Sequence, residues 1–225
     1  KYPFCMLAPS DWIYTNKILL VGAERDDLFA ICLSSFFRSW LYAFSVRSLG
    51  EDKNTLTLSI RESVSTFSLP TERVSNVGQS AAIFFQETLV RWSTENEGGL
   101  TAALNAVNTP NCTDPAIIDL RQVMASIDAE VSMAYGWNDL DLAYDFKEFT
   151  GGSANDPWRW ALSEATTEEI LRRLSLLNQE RYNAVHSEVP QVGLKGQATS
   201  NRRTRKRVSR PVSQHEDLFD GGDRL

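Results

Sequence analysis

Between Asp114 and Trp137 the sequence reads DPAIIDLRQVMASIDAEVSMAYGW, a helix marked at both ends. Asp114 is a natural N-cap and Pro115 suits the first helical position. Apolar residues recur at Ile117, Leu120, Met124, Ile127, Val131 and Ala134, the spacing of one helix face. Gly136 supplies the left-handed residue that ends many helices, and Trp137 can fold back on Val131 in the contact that accompanies such caps. A helix of this kind needs other elements to cover its stripe, and the rest of the chain supplies them.

The stretch LFAICLSSFFRSWLYAF, Leu28 to Phe44, repeats apolar residues in steps of four, with Ser35, Arg38 and Ser45 on the other face. This predicts one amphipathic helix over a core. It falls short of the roughly 20 apolar residues a bilayer needs and carries Arg38 near its middle, so no membrane partner is expected. SAAIFFQETLVRW predicts a helix within Thr71 to Asn108, and a short helix follows from Thr101. A last helix is predicted from near Thr166, where Thr166 and Glu169 have capping-box spacing. IYTNKILLV (Ile13 to Val21) and the strictly alternating TLTLSI (Thr55 to Ile60) read as strands, with Gly50, Asp52 and Asn54 in the turn before the second.

The expected fold class is α+β and predominantly α-helical, with short strands or a hairpin near the N-terminus. The expected organisation is an α/β part over 1–70, a helical domain over 71–187, and a disordered tail with a basic block over 188–225. The net charge of −6 hides a split. RRTRKRVSR, Arg202 to Arg210, carries six positive charges; without it 17 basic residues face 29 acidic ones. The chain opens on Lys1 rather than methionine, which reads as a fragment or a processed product.

Little in the sequence marks catalysis. Cys5, Cys32 and Cys112 are far apart with no CxxC spacing, and His186 and His215 alone could assist them. A metal site is not expected, and the loose, odd cysteine count fits a reducing cytoplasm. No Ser/His/Asp or Cys/His set can be assembled. NDPW (Asn155 to Trp158) is a near miss to the Asn-Pro-Pro-aromatic motif of adenine methylation, but Asp156 replaces the first proline and no Gly-rich cofactor turn lies upstream. A turn before a Trp-rich segment is the plainer reading. Asp139, Asp141, Asp145 and Glu148 do not match a calcium loop and read as a short solvated helix. Trp137, Trp158 and Trp160 read as buried anchors sooner than base-stacking platforms. Lys17, Arg25, Arg47, Lys53 and Arg61 lie beside strands and turns, where they serve either as solvated surface or as contacts to phosphates and base edges. The basic block offers salt-sensitive attraction to nucleic acid.

Several strings in fixed order carry a resemblance. They are LFAICLSSFFRSW, TLTLSIRESVSTFSLP, NEGGLTAALNAVN, LRQVMASIDAEVSMAYGWNDLDL and WRWALSEATTEEILRRLSLLNQERYNA, covering most of the chain from Leu28 to Ala184. Together the chain resembles the C-terminal part of type IIG-like restriction-modification DNA adenine methyltransferases, including methylases of phage-defence islands. The resemblance implies a cytoplasmic bacterial protein that needs no cofactor or catalytic residue of its own. S-adenosylmethionine would be bound by an upstream methyltransferase domain that transfers the methyl group to adenine N6. This part would close the target-recognition domain and brace double-stranded DNA while the base is flipped out. The residues expected to touch DNA are Arg47, Lys53 and Arg61, with Arg202, Arg203, Arg205, Lys206 and Arg207 adding loose phosphate contacts. The alternative is a helical interaction module that holds a partner subunit of a defence complex without touching DNA.

Overall fold

The computed structural model describes residues 3–9, 11, 21–22, 25–47, 56–57, 63–148 and 157–187. The strand expected over Ile13 to Val21, all but its last residue, and the tail beyond 187 therefore lie outside the described residues, as does the turn of Gly50, Asp52 and Asn54.

The helix marked at both ends forms as α5, Pro115–Tyr135. Asp114 Oδ1 accepts from Ala116 N at 2.9 Å. Gly136 sits at φ 74°, and Trp137 N and Gly136 N donate to Ser132 O and Met133 O, the paired bonds of a Schellman cap. Trp137 packs its ring on Tyr135 (4.4 Å between centroids) and Phe36 (6.0 Å). All six stripe residues are buried. Three polar residues, Arg121, Asp128 and Ser132, are buried on the same helix.

The amphipathic stretch folds as two helices, not one: α1 (Leu28–Leu33) and α2 (Ser35–Phe44). Ser34 between them is extended (φ −64°, ψ 157°), and its hydroxyl donates to Ile31 O at 2.6 Å. The hydroxyl also accepts from Phe37 N at 3.4 Å. Both helices still bury their apolar face, so the period survives the elbow. After α2, β1 (Val46–Arg47) pairs antiparallel with β2 (Leu56–Thr57).

Helix α3 (Asn76–Glu95) is capped by the Ser75 hydroxyl, and α4 (Gly99–Val107) begins two residues before the expected start. Gly78 lets α3 close on α5, since a Cβ there would fall 2.7 Å from Glu130 Cβ and 2.6 Å from Val74 Cγ1. The segment expected to be a solvated acidic helix is instead β3 (Tyr144–Glu148), paired antiparallel with β4 (Trp158–Leu162). Asp145 and Glu148 are thus strand residues, and Trp158 opens a strand. Helix α6 spans Glu164–Ser187. Its cap is Ser163, whose hydroxyl accepts from Thr166 N at 3.0 Å, so the helix starts earlier than the Thr166–Glu169 pair suggests.

Helix α5 touches α1, α2, α3 and α4, and α6 lies on α2. One continuous buried cluster joins Phe29, Ile31, Phe36 and Trp40 to Leu89, Val107, Leu120, Val131, Leu162, Ile170 and Leu174. The fold is α+β and predominantly helical. Among the described residues, no helix is long and apolar enough to cross a membrane.

Candidate functional site

The residues expected to meet DNA are mostly beyond what the structure describes. Arg47 stands in β1 opposite Leu56. Lys53, Arg61, Arg202, Arg203, Arg205, Lys206 and Arg207 lie outside the described residues, as does Lys17. Arg25 has a structural task. Its guanidinium binds both oxygens of buried Asp27 (2.9 and 2.7 Å) and donates to the carbonyls of Pro70 and Glu72. Asp27 also accepts from Val74 N at 2.8 Å. Burial alone would raise the Asp27 carboxyl, but the Arg25 fork and the Val74 N–H hold it below its ordinary value. This pair pins the start of α1 to the segment before α3.

A space that could take a ligand lies among the six helices, the β3–β4 hairpin and the segment 3–9. It is a cavity of about 730 Å³. Phe4, Phe85, Leu104, Met124, Ile127 and Leu171 make its wall apolar, while Arg38, Lys147, Arg159, Glu148 and Glu164 bring charge. Pockets for small molecules are commonly about 300–1,000 Å³ and apolar with a few placed polar groups.

The polar groups beside this cavity form a chain. Buried Asp128 accepts from Ser35 N (2.7 Å) and from the Tyr144 hydroxyl (2.6 Å). The Ser35 and Tyr144 hydroxyls lie 2.7 Å apart, and Arg38 Nη2 donates to Ser35 Oγ at 2.6 Å. Burial pushes Asp128 up, with the Tyr144 hydrogen bond opposing it, and burial also pushes the Tyr144 phenol up. Asp128 therefore caps the first free N–H of α2 and ties β3 to α5 at once.

A second tie holds the same hairpin. Arg121 Nε donates to Val107 O (2.9 Å), Nη1 to Cys112 O (3.1 Å), and Nη2 to Thr109 O (2.7 Å) and Ala106 O (3.1 Å). Those carbonyls are at the end of α4 and in the loop after it. The same guanidinium lies 4.9 Å from the Phe146 ring centroid and 5.9 Å from that of Trp160. Asn108 adds a bond, its Oδ1 accepting from Trp160 N at 2.9 Å. Trp160 is thus an anchor, while Trp158 is exposed. On α6 Arg173 bridges Asp139 and Glu169, with its guanidinium 5.7 Å from the Trp137 ring centroid. Arg173 lowers Asp139 to about 2, and Arg172 together with Arg173 lowers Glu169 to about 2.

These groups hold elements together and none is arranged as a nucleophile with its base. His186 sits at the end of α6 against the Tyr182 carbonyl and ring. Among the described residues no group of three or more His, Cys, Asp or Glu could hold a metal ion. Sequence reasoning missed Asp128, Tyr144 and Asn108. The available signal was a charge on a buried stripe, because Asp128 falls four residues after Met124 and three before Val131. No protein family, curated protein or solved structure matches the chain.

Proposed function

We propose that this chain is a non-catalytic, cytoplasmic part of a DNA adenine methyltransferase of a restriction-modification or phage-defence system, helping to engage and position double-stranded DNA. What carries the reading is where the strings of the resemblance fall. Ala134-Tyr135-Gly136-Trp137 is the cap that locks α5 to Phe36 of α2, and Arg121 and Asp128 of the same helix fasten the hairpin. The strings are the joints of a brace, which is the part the resemblance assigns to a C-terminal region. S-adenosylmethionine and methyl transfer belong to an upstream domain in this reading. Contacts to DNA fall to Arg47, Lys53 and Arg61, with the basic block of Arg202 to Arg210 adding phosphate attraction.

The test is duplex DNA binding at low and moderate salt, with and without the basic block. Binding by the body should persist without the block and weaken steeply with salt. Reversing the charge of Arg47, Lys53 and Arg61 together should cost at least about tenfold in affinity, roughly 1.4 kcal/mol. Binding that disappears with the block, or is unchanged by the triple reversal, would count against this assignment.

A second reading is a helical module that holds a partner subunit. Two observations favour it: the acidic excess outside the basic block, which repels a duplex, and the exposed Val77, Ile83, Phe84 and Val90 of α3. It predicts no DNA affinity and a stable complex with another chain of the same operon.

A further inference from the structure

Helix α2 divides its residues between two environments. Phe36, Trp40 and Leu41 are buried in the core. Ser35, Arg38, Ser39, Tyr42 and Ala43, spaced by three and four along the opposite side, form one wall of the cavity of about 730 Å³. That wall is polar. The segment 3–9 and helices α3 to α6 contribute mainly apolar residues to the rest: Phe4, Phe85, Leu104, Met124, Ile127 and Leu171. The segment 3–9 is held in place from α3. The Phe4 ring meets Phe85 with centroids 6.4 Å apart, and Leu7 N donates to Gln86 Oε1 at 2.6 Å.

The charges on the lining are sorted by depth. Lys147, Glu148 and Glu164 are exposed, and Lys147 already pairs with Asp145 at 3.4 Å. Arg38 and Arg159 are half-buried, so the deeper charges are both positive. Among the described residues Arg38 forms no ion pair with a carboxylate; its guanidinium donates from Nη2 to Ser35 Oγ at 2.6 Å. Asp128, whose field Arg38 feels, accepts instead from Ser35 N and the Tyr144 hydroxyl.

We propose that this cavity binds a medium-chain fatty acid, with the carboxylate on Arg38 and the chain against the apolar wall. A guanidinium presents a planar fork of N–H donors that matches a carboxylate, and Arg38 still has donors to give. It is also set in advance, because Ser35 is fixed in turn by its N–H to Asp128 and by the Tyr144 hydroxyl 2.7 Å from its own. Less ordering is then left for the ligand to impose. The chain gains by taking the apolar residues out of water. A neutral or cationic head group would instead cover Arg38 without pairing it, which is costly. The site uses none of the residues assigned to DNA, so it stands or falls independently of that assignment.

The experiment is isothermal titration calorimetry on the full chain near neutral pH, with decanoate, decanol and decylammonium, each below its micelle concentration. Decanoate should saturate a single site at least about tenfold more tightly than either control, since it alone pairs with Arg38. Arg38→Gln should remove that margin, bringing decanoate to the level of decanol and leaving decanol where it was. Leu171→Trp, which fills the apolar side, should weaken decanoate and decanol alike by at least about tenfold. Far-ultraviolet dichroism checks that each variant is folded. Should Arg38→Gln fail to fold, the three head groups compared on the unaltered chain still decide. No saturable binding of decanoate, equal affinity for decanol, a preference for decylammonium, or a decanoate affinity untouched by Leu171→Trp would each overturn the assignment.

Discussion

At the scale of single residues, buried charges decide more of this structure than their number suggests. Asp128 serves two elements from one carboxylate, accepting from the first turn of α2 and from Tyr144 of the hairpin. Its titration has a defined sign. Burial raises its folded value above the unfolded one, so its contribution is complete below about pH 4 and is lost as pH rises through the raised value. Asp139 and Glu169 act oppositely. Both fall to about 2 when folded, so what they add is present above about pH 4.5 and lost as pH drops through about 2. Asp128→Asn keeps the shape and one of the two acceptor oxygens but cannot ionise. It should flatten the decline in stability above pH 4 and cost about 1 kcal/mol, against about 3 kcal/mol for Asp128→Ala, which strands Ser35 N. Urea unfolding at a series of pH values measures both. An unchanged pH profile in the Asn variant would mean that Asp128 is not the group responsible.

At the scale of elements, helices were legible where their ends carry chemistry and less so where they do not. Asp114, Pro115 and Gly136 announce α5 because an N-cap acceptor, a residue without an N–H and a residue free to adopt positive φ each solve a terminus problem. The elbow at Ser34 was hidden. One extended residue, whose own hydroxyl bonds back to Ile31 O and accepts from Phe37 N, barely disturbs a period in steps of four. The β3 strand was misread because its acids drew the eye. Leu140, Leu142, Tyr144 and Phe146 alternate with Asp141, Ala143, Asp145 and Lys147, and the inner set is the more buried. The cavity was not legible at all, since its wall draws on the segment 3–9, all six helices and both strands of the β3–β4 hairpin. One cap also acts beyond its own helix. Trp92 Nε1 of α3 donates to Asp114 Oδ2 at 2.8 Å while Oδ1 caps α5. Asp114→Ala should therefore cost about 2 kcal/mol, more than a cap alone, and a double-mutant cycle with Trp92→Phe should return a coupling near 1 kcal/mol. Zero coupling would reduce Asp114 to an ordinary cap.

At the scale of the whole molecule, the buried cluster runs from Phe29 of α1 through α5 to Leu174 of α6 without interruption. The segment before position 70 and the helices after it share that interior. Far-ultraviolet dichroism and tryptophan emission should accordingly lose their signals at one common denaturant midpoint. Two separated transitions would show that α1 and α2 fold apart from the rest. Arg121 bears on a longer timescale than any of these measurements. Its donors reach four main-chain oxygens, of Ala106, Val107, Thr109 and Cys112, and none of those bonds depends on a side chain. Beyond Val107, which is in the core, and Asn108, whose side chain holds Trp160, the loop it grips can exchange residues over generations as long as its backbone path is kept, whereas the arginine cannot be exchanged without releasing that path. Descendants of this chain can thus drift apart in spelling across 109–111 while keeping the same joint.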